Sequence, residues 1–440
     1  LFPNHENGDN RLSFAQQVKE IREGFQPAFW IANGTELFER LSYYGVTAVL
    51  AVFYLREQLH FSPEETGTLM GVFGFVVWFL PILGGTLADR FGFRRSLAAA
   101  YLILTIGYFL LGSVSASWMA PLRDHLPRFW LVFAILMVPA LGPSIVKPVV
   151  AGTTARASNE NVRSMGYSIY YTIVNIGGTL GPIMALWVRR SIGIENVFRM
   201  AALSVFLMFF ATIFFYREPP QSERNQVASV GAALRNMFLV MRNIRFMVFL
   251  VLFSGFFVVF WQEYIALPMF IRGYVDPNAD IEWLASTEAL TVILLQVLVS
   301  YMTRKVPAFT AMTAGILIAG LSWLLLAIHP TVPMAVASVI VLAIGEITQA
   351  PRYYEYVSRI APEGQQGLFM GYAFLPIAIG YFIAGPLGGW LVHYFGEVRH
   401  TPAQMWYVVS AVGILTTVLM VVYNRFVRPT GEQAADASRN

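Results

Sequence analysis

The chain contains no cysteine, which excludes disulfide bonds, thiolate nucleophiles and thiol-ligated metal centres. Histidine is nearly as scarce: the six are His5, His60, His125, His329, His393 and His400, all in polar breaks or at the ends of apolar runs. No His-Glu-x-x-His helix, Gly-Lys-Ser/Thr phosphate loop or Gly-x-Ser-x-Gly nucleophile elbow is present, so zinc hydrolysis, nucleotide hydrolysis and serine acyl transfer lack their residues. Charge is also sparse, with Asp, Glu, Lys and Arg making up 13% of 440 residues against roughly a quarter in soluble domains. What fills the space is apolar: 56% of the chain is hydrophobic and the mean hydropathy is +0.57.

The apolar residues come in runs of about twenty, the length needed to cross a hydrocarbon core of roughly 30 Å. Twelve such spans are expected, at 27–55, 65–87, 96–116, 128–154, 164–188, 197–216, 246–271, 281–302, 307–328, 333–358, 366–393 and 403–424. The ten-residue alternation of a transmembrane barrel is absent. The sequence therefore predicts an all-α polytopic membrane protein. Turn-forming breaks such as Ser62-Pro63, Pro219-Pro220, Asp276-Pro277 and His329-Pro330 separate the spans.

The longest break, 217–245, follows the sixth span. The expected organisation is a polar N-terminal segment (1–26), a six-helix bundle (27–216), a linker (217–245), a second six-helix bundle (246–424) and a tail (425–440). Residues 1–26 are polar and mixed in charge, so no cleavable signal peptide is expected. Basic residues gather on the side of the termini, at Arg94-Arg95, Arg156, Arg163, Arg242, Arg245 and Arg304-Lys305, which predicts cytoplasmic termini. The same asymmetry accounts for the net charge of +4 and a pI near 9.2 without a nucleic-acid partner.

One stretch violates the apolar pattern. Thr35-Glu36-Leu37-Phe38-Glu39-Arg40-Leu41-Ser42-Tyr43-Tyr44-Gly45 puts two carboxylates and a guanidinium on little more than one turn of the first span. Spacings of three and four bring Glu36, Glu39 and Arg40 onto one broad helix face. Ionisable groups inside a span need a partner, a water-filled cavity or a proton. A carboxylate paired with Arg40 when ionised can release it when protonated, so the cluster has the chemistry of a proton-controlled latch.

Two patterns carry family resemblances. Gly84-Gly85-Thr86-Leu87-Ala88-Asp89-Arg90-Phe91-Gly92-Phe93-Arg94-Arg95 resembles the loop between spans two and three of the major facilitator superfamily. The stretch around Arg40 resembles, more specifically, the E-x-x-E-R-F-x-Y-Y-G signature of the proton-dependent oligopeptide transporters, with Leu41 in place of Phe. Lys147-Pro148, Tyr170-Tyr171-Thr172-Ile173-Val174-Asn175-Ile176-Gly177, and Gly345-Glu346 with Glu355 extend the likeness along most of the chain.

The resemblance implies a major facilitator fold of two six-helix bundles and a proton-coupled symporter of the cell membrane that imports short peptides or peptide-like compounds. Its energy source would be the proton gradient, without a bound cofactor; its partners would be a small-molecule substrate, protons and membrane lipid, and a monomer is expected. Glu36, Glu39 and Arg40 would couple the proton. Arg40 and Lys147 would hold a substrate carboxylate, Glu346 an amino group, and Tyr43, Tyr44 and Asn175 amide groups. Asp89, Arg90, Arg94, Arg352 and Glu355 would gate the conformational change, with Arg352 neutralising Glu355.

Several positions depart from the family pattern. Thr47 stands where a second arginine is frequent, Trp261 where an acid often pairs with the span-four lysine, Ala373 where a tryptophan is typical, and Trp78 where a tyrosine is common. Glu263 lies two residues beyond Trp261, about 200° around an ideal helix, facing another wall of the pocket. These changes open an alternative: a proton-linked carrier, by symport or antiport, for a non-peptide metabolite, amine or drug-like compound.

Overall fold

The computed structural model describes residues 23–82, 88, 90–219, 238, 240–361 and 366–427, with backbone alone for 366–368. Asp89 and most of the polar linker lie outside the described residues. No strand occurs among those described; an isolated bridge between Phe25 and Ser158 ties the start of the chain to the turn after the fourth span.

The helices follow the expected spans closely. Helix α1 is Pro27–Val49, continued by wide turns over Leu50–Gln58, and α2 is Pro63–Phe79. The rest are α3 Phe93–Leu111, α4 Arg128–Arg156, α5 Glu160–Ile192, α6 Ile194–Phe215, α7 Ile244–Val275, α8 Glu282–Thr303, α9 Ala308–Ile328, α10 Val332–Ile360, α11 Phe369–Val398 and α12 Pro402–Phe426. Ten of these, α3 to α12, are apolar and long enough to cross a membrane. Helix α1 has the length but carries the charges of the central cluster, and the described part of α2 ends after 17 residues.

Local chemistry sets the boundaries. Pro63 opens α2, where its missing N–H costs nothing. Ser62 Oγ accepts from the Glu65 amide at 3.1 Å and the Glu65 carboxylate accepts from the Ser62 amide at 2.9 Å, a reciprocal cap. Helix α7 breaks at Phe260, passes through a tight turn over Trp261–Glu263, and resumes at Ala266. Pro268 supplies the reason, since its ring clashes with the carbonyl four residues back and its nitrogen donates no hydrogen bond. This break sets the direction of Glu263, which an unbroken helix would place elsewhere.

Without a hydrophobic force between helices in lipid, close backbone approach through small residues takes over. In the first bundle α1 packs on α5, and a Cβ added at Gly181 would stand 2.6 Å from the Leu41 carbonyl oxygen. Between the bundles α2 packs on α11: a Cβ at Gly67 would lie 2.2 Å from the Gly385 carbonyl oxygen, and one at Gly385 would lie 2.4 Å from Gly71 Cα. The second contact between bundles is α5 on α8. The site lies between these two seams.

Replacing Gly385 by leucine should force α2 and α11 apart, at a cost of about 1–3 kcal/mol or more. Thermal unfolding of the purified protein should show a melting temperature several degrees lower, whereas Gly34→Leu, at a position with open space around it, should leave it unchanged.

Candidate functional site

The charges of α1 are fully withdrawn from the surface. Glu36 and Glu39 are 0% exposed and Arg40 is 1% exposed. Arg40 Nε stands 3.3 Å from Glu36 Oε1 and donates to Glu39 Oε2, and the guanidinium lies 5.0 Å from the Tyr43 ring centroid. Room for this packing comes from α5, because a Cβ at Gly177 would meet Arg40 Cβ at 2.4 Å. Tyr170 on α5 and Lys147 on α4 stand close to Glu36. The ion pairs of the cluster therefore lie within α1, and Glu36 is the member that faces α4 and α5. With both its carboxylates engaged and almost no exposure, Arg40 presents nothing to a ligand in this conformation.

Lys147 is different. It is half-buried, its Nζ rests 3.3 Å from the Trp78 ring centroid, and among the described residues no carboxylate lies within ion-pair distance of it. An indole face attracts an ammonium through the ring quadrupole without forming an ion pair with it. Trp78 lies 6.0 Å from Trp261, which in turn lies 4.2 Å from Tyr381. An aromatic wall therefore runs from the lysine in the first bundle to α7 and α11 in the second. Thr47 is turned inward, donating to the Tyr43 carbonyl at 2.7 Å.

The opposite wall is acidic. Glu346 on α10 lies within hydrogen-bonding reach of Glu288 on α8, and Glu263 at the α7 break is near Glu288. Glu263 is 3% exposed and both its oxygens lack a hydrogen-bond partner. Glu288 escaped the sequence reading: it sits in an apolar span with no motif around it, and an acid in a span was the signal that marked it. Tyr44 from α1 lies between the walls, near both Arg40 and Glu346. Tyr171 on α5 is 45% exposed and faces Glu346, Glu288 and Tyr354. Asn175 uses its amide nitrogen on the Tyr171 carbonyl at 2.9 Å, leaving its oxygen as the group free for a ligand amide. Tyr43 is buried against Phe73 and Tyr44.

Of the residues expected to gate, Arg352 pairs with Glu355 at 2.9 Å and also donates to the Thr303 carbonyl at 2.9 Å, and Glu355 additionally pairs with Arg359. Arg94 donates to the Ile213 carbonyl, Arg90 packs on Phe91, and Asp89 lies outside the described residues. The contacts that join the bundles were not anticipated. At the end opposite the termini, Arg272 holds Glu57 through two hydrogen bonds of 2.9 and 3.1 Å. Arg189 holds Glu282 at 2.6 Å and Asp280 at 3.1 Å, and Arg190 also pairs with Asp280. Arg56 reaches Glu397 at 3.4 Å, and His393 Nδ1 lies 3.4 Å from Glu64. Among the described residues, no ion pair joins the bundles at the other end, so the molecule is shut on the side away from its termini.

Two helical bundles pinned at one end around a buried, charged centre define a carrier. The chain belongs to the Major Facilitator Superfamily, which residues 35–276 and 264–439 match; it is a multi-pass membrane transporter and not an enzyme. Multidrug resistance protein MdtH of Sodalis glossinidius (strain morsitans) is 23% identical over 389 residues, covering 88% of this chain and 90% of that protein. MdtH of Escherichia coli (strain K12 / DH10B) is 22% identical over 378 residues, covering 86% and 89%. Among solved structures, an auto-inhibited POT family peptide transporter superposes with a TM-score of 0.76 at 18% identity, covering 92% of this chain and 98% of that one. A POT family transporter in complex with a thioalcohol-conjugated peptide gives 0.74 at 18% identity, covering 91% and 96%. The major facilitator fold expected from the motifs is thus the fold observed.

Glu282 is 0% exposed, so removing its cation leaves an uncompensated buried charge, at a cost of about 3–5 kcal/mol. Spin labels on cysteines introduced at exposed Ser191 and Asn278 should report one short distance in the parent chain. Arg189→Met should broaden that distribution toward longer distances; an unchanged distribution would show that this ion pair does not hold the bundles together.

Proposed function

We propose that the chain is a proton-coupled symporter that moves small zwitterionic, peptide-like compounds by alternating access between its two bundles. The observation that carries this reading is the division of charge across the centre. Lys147 offers an unpaired ammonium on one wall, and Glu346 with Glu288 offers carboxyl groups on the other. A substrate carboxylate would pair with Lys147 and its amino group with Glu346, with Tyr44 and the Asn175 oxygen between them for amide groups.

Protons enter through the cluster on α1. With Glu36 and Glu39 ionised, Arg40 is bound on two sides within α1, with Lys147 of α4 and Tyr170 of α5 beside Glu36. Protonating either carboxylate removes one charge-assisted contact. The freed guanidinium then becomes available to the substrate carboxylate, so substrate and proton favour the same state. The positive-inside charge pattern supports cytoplasmic termini; with that orientation the closed end is the outer one and this conformation is inward-facing.

A second reading is favoured by the aromatic wall of Trp78, Trp261 and Tyr381 and by the likeness to MdtH. In it the acidic wall binds a lipophilic amine that leaves in exchange for protons. Similarity to POT structures supports the fold of both readings equally.

The two readings separate in proteoliposomes with an imposed pH gradient, acidic outside. Di- and tripeptides should accumulate in the first case, and lipophilic amines should be expelled in the second. Glu39→Gln should abolish uphill accumulation while leaving counterflow exchange; unchanged uphill uptake would remove the coupling role. Lys147→Ala should weaken substrates bearing a free carboxylate by tenfold or more, on the order of 1.4 kcal/mol. Equal weakening of C-terminally amidated substrates would count against that contact.

A further inference from the structure

The acidic wall contains more carboxyl groups than a single substrate amine requires. Glu263, Glu288 and Glu346 come from three different helices, and among the described residues none forms an ion pair. The groups that face them are hydroxyls: Tyr44 from α1, Tyr171 from α5, Tyr264 from α7 and Tyr354 from α10. No lysine, arginine or histidine is among them.

Two features show what occupies such a site. Glu288 and Glu346 stand within hydrogen-bonding reach of each other, and since an ionised carboxylate only accepts hydrogen bonds, two carboxyl groups so placed can bond when one of them carries a proton. Glu263, buried and unpartnered, lines a cavity of about 10 Å³ formed with Ala48, Leu267, Pro268, Ile281, Leu284 and Ala285, which is room for about one water molecule. One helical turn further out, Val52 and Met269 line a vestibule of about 390 Å³ at the closed end, beside Arg56, Glu57, His60 and Arg272. On α8 and its N-cap, Ile281, Leu284, Ala285 and Glu288 fall on one stripe. The cavity thus sits where the α7 break faces the start of α8, and Glu288 stands near both Glu263 and Glu346.

We propose that Glu263, Glu288 and Glu346 form a proton-binding relay in the second bundle, separate from the Glu36–Glu39–Arg40 cluster of the first. Glu263 takes a proton from water at the closed end, and the Glu288–Glu346 pair holds it facing the central cavity. A substrate ammonium arriving at Glu346 replaces that proton as counter-charge, and the proton leaves to cavity water. The carrier then handles protons in both bundles, and the pair on α8 and α10 determines how substrate charge alters the number of protons moved. This consequence rests on the proton-coupled reading; the site itself does not.

Infrared spectroscopy of the full chain in detergent tests the site without requiring transport. At neutral pH the parent protein should show a protonated-carboxyl C=O band that shifts in D₂O. Glu288→Gln should remove most of it, and Glu263→Gln should lower it further from the parent level. Glu36→Gln should leave the component lost in Glu288→Gln in place. Both glutamine changes preserve shape, and the Glu263 variant keeps the test usable if Glu288→Gln does not fold. No protonated-carboxyl band in the parent protein, or spectra of both variants identical to the parent, would overturn the relay. So would a band that is absent while sodium chloride, unlike choline chloride, raises the melting temperature, since a bound cation would then fill the site. A pH gradient that fails to drive uptake while the band persists would reject the transport reading and leave the relay standing.

Discussion

A guanidinium shared between two carboxylates, with all three groups sealed from solvent, is the constraint to which the rest of this molecule conforms. Burying Arg40 alone would be prohibitive, because an unpaired charge would be taken out of water. With Glu36 and Glu39 both engaged, the cluster is tolerable, but it demands close helices around it. Gly177 has no side chain because Arg40 occupies that space. Gly45 and Gly181 bring α1 and α5 together on either side of the same contact. A proton taken up by Glu36 alters the charge that Lys147 of α4 and Tyr170 of α5 face.

Two kinds of contact hold the bundles together. At the closed end, arginines and carboxylates from opposite bundles meet in partly exposed pairs whose strength depends on geometry and surroundings. Beside them α2 and α11 meet by close backbone contact at Gly67, Gly71, Gly385 and Gly389, with no charge involved. Ionic contacts that break and re-form, set beside a backbone seam that persists, are the parts a rocking carrier needs. The centre joins them, since Lys147, Trp78 and Trp261 cross from one bundle to the other beside the acids of α7, α8 and α10.

Much of this was readable in the residues. The hydropathy runs place the helices to within a few residues, and the α1 charges identify the cluster because nothing else explains them in a span. Arg352 and Glu355 pair as their spacing of three suggests. The remainder depends on tertiary structure. The direction of Glu263 follows from a break that Pro268 imposes five residues later, so an ideal-helix angle could not give its neighbours. Glu288 meets Glu263 and Glu346 only after three helices assemble. The partners of Arg189 and Arg272 come from the other bundle, nearly a hundred residues or more away in sequence. The lysine of α4 finds an indole face, and the acid position opposite it on α7 is occupied by Trp261.

The central claim is that substrate and proton cross together because the α1 cluster releases one partner on protonation. The most direct measurement is the internal pH of proteoliposomes loaded with a pH-sensitive dye and given a dipeptide on the outside, with no gradient imposed and potassium and valinomycin clamping the voltage. Coupled entry predicts that the lumen acidifies as the dipeptide enters, and that the signal disappears in Glu39→Gln. Dipeptide entry at the same rate with no change in internal pH would contradict the account.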